Sequence, residues 1–241
     1  MTIESLPATL VERLSTVSSA TVAMQLLKRG LRACFMNGPR PLNAAAGGFV
    51  ASAYTLRFVP YREDLADPAI LADPAYPPRR AIEDIPPGAA LVIDGRGDPR
   101  AGTIGDILCA RLWVRGIAGV VSDGPVRDLT AIRELNLPVF ATGAAAPASL
   151  NVHVGADLQS PIGCGGVAVV PGDVLRADGD GVVVIPRALA EEVARDAQEQ
   201  ERLEEFLKQR VLDGAPTIGT YPPDEATREA YRAWCAAREN G

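Results

Sequence analysis

The sequence contains a single histidine, His153, and only two lysines, Lys28 and Lys208. One histidine with these neighbours cannot build a Ser–His–Asp triad or a histidine-rich metal site, so we expect His153 to be structural. A Schiff-base mechanism requires a buried lysine with a lowered pKa. Lys28 lies near the end of a predicted helix and Lys208 in a densely charged one, so both should be exposed. The scarcity of these residue types therefore disfavours both kinds of catalysis.

Patterned cysteines and long apolar runs are also missing. The four cysteines form no CxxC pair, which argues against a zinc knuckle or a disulfide framework and predicts reduced, mostly buried thiols. They are Cys34, Cys109, Cys164 and Cys235. No apolar run approaches the length needed to span a bilayer, and the first residues do not resemble a signal peptide. We expect a cytoplasmic protein that does not enter a membrane.

Acidic residues outnumber basic ones, 30 to 24, which gives a formal net charge of -6. A net acidic chain has no electrostatic reason to bind nucleic acid or an anionic membrane, so an anionic substrate must be bound by a local arginine or a metal ion. Neither the GK[ST] of a P-loop nor a GxGxxG turn after a strand is present. Hydrophobic residues make up 47% of 241, which suffices for one large domain with an additional arm.

The first third of the chain predicts a helix, a strand and a long loop. Residues 10–30 have a helical pattern, with Ser18 and Ser19 as candidate caps for its second half and Gly30 at its C-terminus. Residues 49–60 are rich in residues that favour strands. The many prolines between residues 64 and 87 indicate a surface loop with one short helix.

Short apolar runs closed by Gly, Asp or Pro follow from Ala89, and they predict a sheet. The runs are AALVIDG, GIAGVVSDG, PVFATG, GVAVVPGD and GVVVIP. Predicted helices over residues 104–115 and 126–135 separate the first three, which implies parallel crossovers. The later strands, within residues 153–185, are joined by tight turns and should be antiparallel. We therefore predict an α/β domain with a mixed central sheet flanked by helices.

The C-terminal part predicts two helices. Pro186 begins a long amphipathic helix with a densely charged middle, and a Pro/Gly-rich linker follows Gly214. The last, short helix carries Tyr231 and Trp234 on one face. We divide the chain into a domain at residues 1–214 and an arm at 215–241. The arm is too small to fold alone, so it must dock either on the body of its own subunit or on a neighbouring subunit. We expect it to pack on the neighbour.

Two glycine-rich turns mark the segment from residue 95 to residue 128 as the candidate site. The first, AGTIGD at residues 101–106, leads into a helix whose free amides suit a carboxylate or phosphate. The second, SDGPVRD at residues 122–128, places Asp123, Arg127 and Asp128 after a strand, at the sheet edge where α/β proteins bind ligands. Either turn alone is also common in purely structural roles.

Taken together, the two turns resemble a known family. Asp106, twenty residues, and then Arg127-Asp128 is the pattern of the metal-dependent pyruvate aldolases that act on 4-hydroxy-4-methyl-2-oxoglutarate and 4-carboxy-4-hydroxy-2-oxoadipate. This family also includes regulators of ribonuclease activity A. The block PGDVLRADGDGVVVIP, residues 171–186, supports the resemblance, which covers roughly residues 8–215. The implied fold is swivelling β/β/α-like.

The resemblance implies a role for each site residue. Asp128 would hold Mg²⁺ or Mn²⁺, which requires few direct protein ligands, and Asp106 would contact the metal through water. Arg127 would meet the C2 oxygen or the carboxylate of a 2-oxo acid, a task that suits its planar fork. The backbone around Gly105, with the amides of Ile107 and Leu108, would take the substrate carboxylate.

The resemblance also implies an activity and an assembly. The activity is retro-aldol cleavage of a 4-hydroxy-2-oxo acid to pyruvate, the decarboxylation of oxaloacetate, or both, through one enolate. The assembly is a homotrimer or hexamer in which a glutamate of the neighbour's last helix approaches the metal through water. Glu201 is our choice among the glutamates of that helix, which include Glu199, Glu204 and Glu205.

Two questions stay open at the level of sequence. The same fold serves regulators that bind a ribonuclease or helicase without chemistry, and fold does not fix function. The substrate beyond C4 is also unspecified. Residues 37–42 and the C-terminal arm are candidates for contacting it. Arg57, Arg62 and Arg96 are candidates for a distal carboxylate, although surface arginines in solvent are the simpler interpretation.

Overall fold

The computed structural model describes residues 3–43, 46–64 and 66–239. Seven α-helices and ten strands lie within this part of the chain. The helices are α1 Ala8–Ser15, α2 Ser19–Lys28, α3 Pro77–Asp84, α4 Asp106–Val114, α5 Leu129–Glu134, α6 Ala190–Leu212 and α7 Glu225–Glu239. The strands are β1 Arg40–Pro41, β2 Phe49–Pro60, β3 Ala90–Asp94, β4 Gly119–Ser122, β5 Val139–Ala141, β6 His153–Leu158, β7 Ile162–Cys164, β8 Val167–Val169, β9 Val174–Asp178 and β10 Gly181–Ile185.

An eight-stranded mixed sheet organises the fold, in the order β1-β5-β4-β3-β2-β9-β10 with β6 also paired to β2. Strands β3, β4 and β5 are parallel, as the helices predicted between them implied, and β2 is parallel to β3 as well. Strands β6, β9 and β10 join in antiparallel fashion, and β7 and β8 form a separate hairpin. The predicted α/β class with a mixed sheet flanked by helices is confirmed.

Three apolar clusters hold these layers together. One lies between the parallel strands and α3, α4 and α5, and it includes Leu91 and Leu112. The second lies between the sheet and the β7–β8 hairpin, and the third seals α1, α2 and α6 onto β9 and β10. Leu112 is fully buried, and truncating such a side chain to alanine costs about 2–5 kcal/mol. The first cluster thus fixes α4, whose N-terminus belongs to the candidate site.

The single helix predicted over residues 10–30 is wrong in one respect, because the chain forms two helices there. The break follows from capping: the Ser18 hydroxyl accepts the backbone N–H of Thr21, and the Ser18 N–H donates to Glu201. A capped N-terminus ends the preceding helix even though the apolar pattern continues. Gly30 follows α2 with a φ of 82°, as expected of a residue in the left-handed region.

Other boundaries are close to the predicted ones. The strand predicted over residues 49–60 is β2. The proline-rich loop contains α3 and a 3-10 turn, Pro68–Ala72, where we expected one short helix. Pro186 precedes a 3-10 turn, Arg187–Leu189, and α6 begins after that turn rather than at the proline itself. No helix in the described part of the chain has the length and apolar character to cross a membrane.

The C-terminal arm packs on its own chain. The aromatic rings of Tyr231 and Trp234 on α7 both contact Phe206 of α6, and the Tyr231 hydroxyl donates to Glu199 over 2.9 Å. Arg238 lies over the Trp234 ring and pairs with Glu205. Docking of the arm on a neighbouring subunit stays a prediction, as does the domain boundary at residue 214.

Candidate functional site

The two glycine-rich turns of the sequence pack directly against each other. The Thr103 N–H donates to the Pro125 carbonyl and the Arg127 N–H to the Ile104 carbonyl, each over 2.8 Å. A Cβ on Gly102 would lie 2.4 Å from Cγ of Arg127, so only glycine permits this approach. Because these turns follow β3 and β4, they meet at the carboxyl edge of the parallel strands.

Asp128 is the exposed carboxylate of this edge. It adopts the left-handed region, with φ 59° and ψ 38°, at the N-cap position of α5, and its side chain makes no capping hydrogen bond. A carboxylate at an N-cap ordinarily accepts an amide of the helix. Here it is turned towards Gly105, where a Cβ would lie 3.0 Å from Oδ2. The fold therefore leaves this anion free to bind something else.

Arg127 is half-buried beside it. Its Nε atom is buried and, within the described residues, has no hydrogen-bond partner. An unsatisfied buried donor is costly, and it is a recognised sign of a group awaiting a ligand. The side chain crosses over Gly102, which fixes where the guanidinium begins.

The N-terminus of α4 supplies backbone donors to the same place. Gly105 is the N-cap, and the first helical hydrogen bond runs from Cys109 to the Gly105 carbonyl. The amides of Ile107 and Leu108 consequently have no backbone carbonyl of the helix as acceptor. The Ile107 N–H is engaged by Oδ1 of Asp106 over 2.8 Å. The helix start is open to solvent, since 78% of Ile107 is exposed.

Asp106 is the first residue of α4 and is half-buried. Burial, followed by the nearby charge of Asp106, raises the pKa of the Cys109 thiol to about 12. Cys109 is therefore a neutral core residue rather than a nucleophile. The structure thus places the start of α4, with Gly105 and Asp106, beside Arg127 and Asp128, while the roles that the resemblance implies for these residues stay predictions.

Asp123 stands apart from this group although it precedes it in the same turn. It is buried, its Oδ1 accepts the Gly95 N–H over 2.6 Å, and its Oδ2 accepts the Gly165 N–H over 3.3 Å. Burial raises its pKa, and the hydrogen bonds from the two amides partly offset that effect. Asp123 ties the turn after β3 to the β7–β8 hairpin, which is a structural role.

A cation at this edge would rely on one protein carboxylate. Among residues 3–43, 46–64 and 66–239, no three His, Cys, Asp or Glu side chains converge on a common point. Asp128 offers an exposed, uncapped carboxylate, and Asp106 begins the helix next to it. This donor set suits a hard divalent cation that keeps most of its water, such as Mg²⁺ or Mn²⁺, and does not suit zinc.

Glu201 lies elsewhere in this chain. Its Oε1 accepts the Ser18 N–H over 2.8 Å at the start of α2. Burial opposes its charge, but hydrogen bonds from Ser18 and Thr21 and the charge of Arg176 outweigh burial and lower its pKa. The other glutamates of α6 are also engaged within the chain. The role of Glu201 at a neighbour's metal stays a prediction.

The remaining polar candidates are in structural pairs. Arg57, Arg62 and Arg96 each pair with an aspartate, which leaves none of them as an isolated cation for a distal carboxylate. Lys28 and Lys208 are exposed, as expected. The wall formed by residues 142–148 was not predicted. It joins the site through the bridges Val126–Ala144 and Gly102–Ala148, and its small-residue run, TGAAAPA, was the only signal in the sequence.

Comparison with known proteins shows the family to which the chain belongs. The RraA-like family model, described as Aldolase/RraA, matches residues 14–184. A crystal structure from Streptomyces coelicolor, of RraAS2, described as an unusual member of the RNase ES inhibitor RraA protein family, is similar with a TM-score of 0.76 and 35% identity. The match covers 86% of this chain and 99% of that chain.

Two relatives carry an aldolase name. A protein of Halalkalibacterium halodurans, provisionally named 4-hydroxy-4-methyl-2-oxoglutarate aldolase, is 36% identical over 142 residues, which is 59% of this chain and 67% of the relative. The 4-hydroxy-4-methyl-2-oxoglutarate aldolase of Thermus thermophilus is 35% identical over 108 residues, or 45% and 65%. The matched segments thus span about two thirds of these relatives. The chain belongs to the Aldolase/RraA family.

Proposed function

We propose that the protein is a divalent-metal-dependent lyase that cleaves a C–C bond of a 2-oxo acid. The substrates would be a 4-hydroxy-2-oxo acid, cleaved to pyruvate by retro-aldol reaction, oxaloacetate, which loses carbon dioxide, or both. The observation that carries the proposal is the packing of the Gly102–Asp106 turn onto Arg127-Asp128. The names of the two bacterial relatives support the same reaction class.

Asp128 would hold the cation, Mg²⁺ or Mn²⁺, and Asp106 would contact it through water. The exposed, uncapped carboxylate of Asp128 and the absence of a larger cluster among the described residues fit such a hydrated ion. When bound, the cation supplies Lewis-acid polarisation of the substrate's C2 carbonyl.

Arg127 would stabilise the charge that develops on the C2 oxygen. When the C3–C4 bond breaks, its electrons delocalise from C3 onto that oxygen and give a pyruvate enolate. The Arg127 side chain is half-buried, and no acceptor among the described residues engages its Nε, so the guanidinium is not committed to a structural partner through that atom. Because the donor is fixed in advance by Gly102, little reorganisation is needed as the charge appears.

The start of α4 would hold the substrate's carboxylate and direct a proton. The backbone amide of Leu108 has no acceptor within the helix, and that of Ile107 would exchange its contact with Oδ1 of Asp106 for the substrate's carboxylate. In the retro-aldol reaction the C4 hydroxyl must lose its proton as the bond breaks. An ordered water that donates to the Asp106 carboxylate would accept that proton and return one to C3 of the enolate, which yields pyruvate. The loss of carbon dioxide from oxaloacetate releases no hydroxyl proton, so in that reaction the same water would only donate a proton to C3.

The test is release of pyruvate from oxaloacetate and from 4-hydroxy-4-methyl-2-oxoglutarate with Mg²⁺, before and after EDTA. Asp128→Asn is the informative variant, and Glu134→Gln, an exposed acid at the far end of α5, is the matched control. We expect turnover that EDTA and Asp128→Asn abolish and that Glu134→Gln retains. Turnover that survives chelation would contradict the proposal.

A second function rests on the likeness to RraAS2, at 35% identity over nearly the whole of that chain. The protein would then bind a ribonuclease or helicase without catalysis. Inhibition of such an enzyme by a protein that lacks metal-dependent turnover would favour this alternative. Retention of that inhibition in Asp128→Asn would separate the surface that binds the partner from the catalytic edge.

We also infer a homotrimer or hexamer in which Glu201 of a neighbour completes the metal site. The proposal is supported by the resemblance and by the lack of a third acidic group beside Asp106 and Asp128 among the described residues. Light scattering measures the assembly, and a purely monomeric, fully active protein would exclude it.

A further inference from the structure

A second polar cluster lies just ahead of the site, in the turn between β3 and the connection to α4. The guanidinium of Arg96 donates from Nε to Nδ1 of His153 over 3.3 Å and from a terminal nitrogen to the Val152 carbonyl over 3.2 Å. It also pairs with Asp98 at 3.2 Å. One side chain thus joins this turn to the start of β6, more than fifty residues away in the sequence.

The backbone of Arg96 is in an unusual conformation. Its φ is 61°, in the left-handed region that side chains other than glycine rarely adopt, and Gly97 follows with a φ of 60°. The Arg96 N–H donates to Oδ1 of Asp94 over 2.9 Å. A strained position occupied by arginine, in a turn with glycines on both sides, indicates that the side chain is needed there.

His153 is the fixed end of the contact. It is fully buried, beside the ring of Phe58, and its Nδ1 accepts from Arg96. The imidazole is therefore neutral with its proton on Nε2, which has no partner within the described residues. The charged groups that face it are Arg96, Asp98 and Arg100, all from the one turn. A protonated imidazole would meet Arg96 with like charge and would offer it no acceptor.

The turn that Arg96 holds, residues 95–98, continues directly into the candidate site. From Asp98 the chain continues to Gly102, whose N–H donates to the Pro147 carbonyl over 3.0 Å, and then to Asp106. Residues 147 and 148, which flank this part of the edge, are followed by the 3-10 turn Ser149–Asn151 and then by Val152 and His153. The two segments, residues 95–102 and 147–153, are thus joined twice: by the hydrogen bond from Gly102 to Pro147 and by the side chain of Arg96.

We propose that Arg96 is a positioning residue that, through the neutral acceptor of His153, holds the connection bearing Gly105 and Asp106 against Arg127-Asp128. The kinetic part of this proposal rests on the proposed lyase function. The part that concerns the order of the backbone at residues 95–108 does not depend on that function. Arg100 shares the partner Asp98 but is exposed and does not reach His153, so it serves as the matched control.

The experiment compares Arg96→Gly, Arg96→Lys and His153→Leu with Arg100→Ala. Arg96→Gly removes the guanidinium while glycine tolerates the local φ, and His153→Leu removes the acceptor while keeping the site apolar. We measure hydrogen exchange of the amides of residues 95–108 in metal-free protein, and kcat and KM for pyruvate release with Mg²⁺. We expect at least tenfold faster exchange in this segment, with unchanged exchange in β9 and β10.

In the kinetic arm, Arg96→Gly and His153→Leu should lower kcat about 10- to 100-fold, since small misplacement of catalytic groups has effects of this size. KM should change less than threefold, Arg96→Lys should recover part of kcat, and Arg100→Ala should match the wild type. Unchanged exchange at residues 95–108 in a folded Arg96→Gly or His153→Leu variant would overturn the proposal, as would equal losses in Arg100→Ala. If the wild type itself releases no pyruvate, the lyase proposal fails and exchange alone decides the role of Arg96.

Discussion

The edge where the turns after β3 and β4 meet and the interface of α6 with α2 both carry several charged residues, but those charges are paired at the interface and not at the edge. At the interface, Arg29 pairs with Glu192 and Asp196, and Glu201 is bound by the backbone of Ser18. At the edge, Asp128 is exposed and uncapped, and the buried Nε of Arg127 lacks a partner among the described residues. Satisfied charge holds helices in place, whereas unsatisfied charge at a strand end is available for a ligand.

The largest effect we predict is at the edge. Arg127→Ala should lower turnover of a 2-oxo acid by about 10²–10³, or about 2.7–4 kcal/mol of barrier, because a fixed donor to the developing oxyanion is lost. Arg133→Ala, an exposed arginine on α5, is the control. Steady-state kinetics and thermal unfolding of both variants are the measurements. An Arg127→Ala protein that loses stability rather than turnover would place this arginine with the structural charges.

The next effect concerns pH and His153. Burial, aided by the charge of Arg96, lowers its pKa from 6.5 to about 4, with Asp98 partly opposing the shift. Between these two pH values the unfolded state binds more protons than the folded state. The contribution of His153 to the unfolding free energy is therefore fully present above pH 6.5 and is lost as the pH falls towards 4. The loss between pH 7 and pH 5 should be about 2 kcal/mol.

Urea denaturation of the wild type and of His153→Asn, at both pH values, isolates this contribution. Asparagine keeps an acceptor close to the position of Nδ1 and does not titrate in this range. The difference in pH dependence between the two proteins should equal the histidine's share. Identical pH dependence would show that His153 is not the titrating group.

A smaller effect is expected at the interface of α6 with α2. Ser18→Ala removes the hydroxyl that accepts the Thr21 N–H and should cost about 1 kcal/mol of unfolding free energy. Turnover should change less than stability, because alanine keeps the backbone N–H that donates to Glu201. Chemical denaturation and a pyruvate assay on the same samples give both quantities. A lower turnover without loss of stability would contradict the assignment of Ser18 to a purely structural role.

The smallest effect is at the arm. Tyr231→Phe removes an exposed hydrogen bond to Glu199 and keeps the contact with Phe206, so it should cost about 0.5 kcal/mol. Thermal unfolding against Tyr221→Phe, whose ring is exposed, gives the comparison. A loss several times larger would contradict the view that this hydroxyl makes only exposed contacts with Glu199 and Cys235.

The sequence was most informative where the evidence is local or repeated. Apolar runs closed by Gly, Asp or Pro located β3, β4 and β10, and the helices predicted between β3, β4 and β5 implied that these three strands run parallel. The grouping of Asp106 with Arg127 and Asp128 was implied by the resemblance to a known family, since either turn alone is also common in structural roles. In the N-terminal segment the cap at Ser18 was identified but the division into two helices was not predicted, because apolar spacing continues across Ser18.

Contacts between distant segments were beyond such reasoning. Nothing in periodicity pairs Arg96 with His153, or Glu201 with Ser18, because each pair joins segments that meet only after the sheet has formed. For the same reason, a candidate chosen by residue type, such as Glu201, is found engaged within its own chain, while Asp123 proves structural although it shares a turn with Arg127.

The central claim is that Asp128 binds a divalent cation required for cleavage of a 2-oxo acid. The most direct measurement is Mn²⁺ binding, followed by electron paramagnetic resonance, in the wild type, Asp128→Asn and Glu134→Gln, with pyruvate release assayed on the same samples. We predict that Asp128→Asn loses both binding and turnover while Glu134→Gln keeps both. Mn²⁺ binding and turnover that persist in Asp128→Asn would contradict this account.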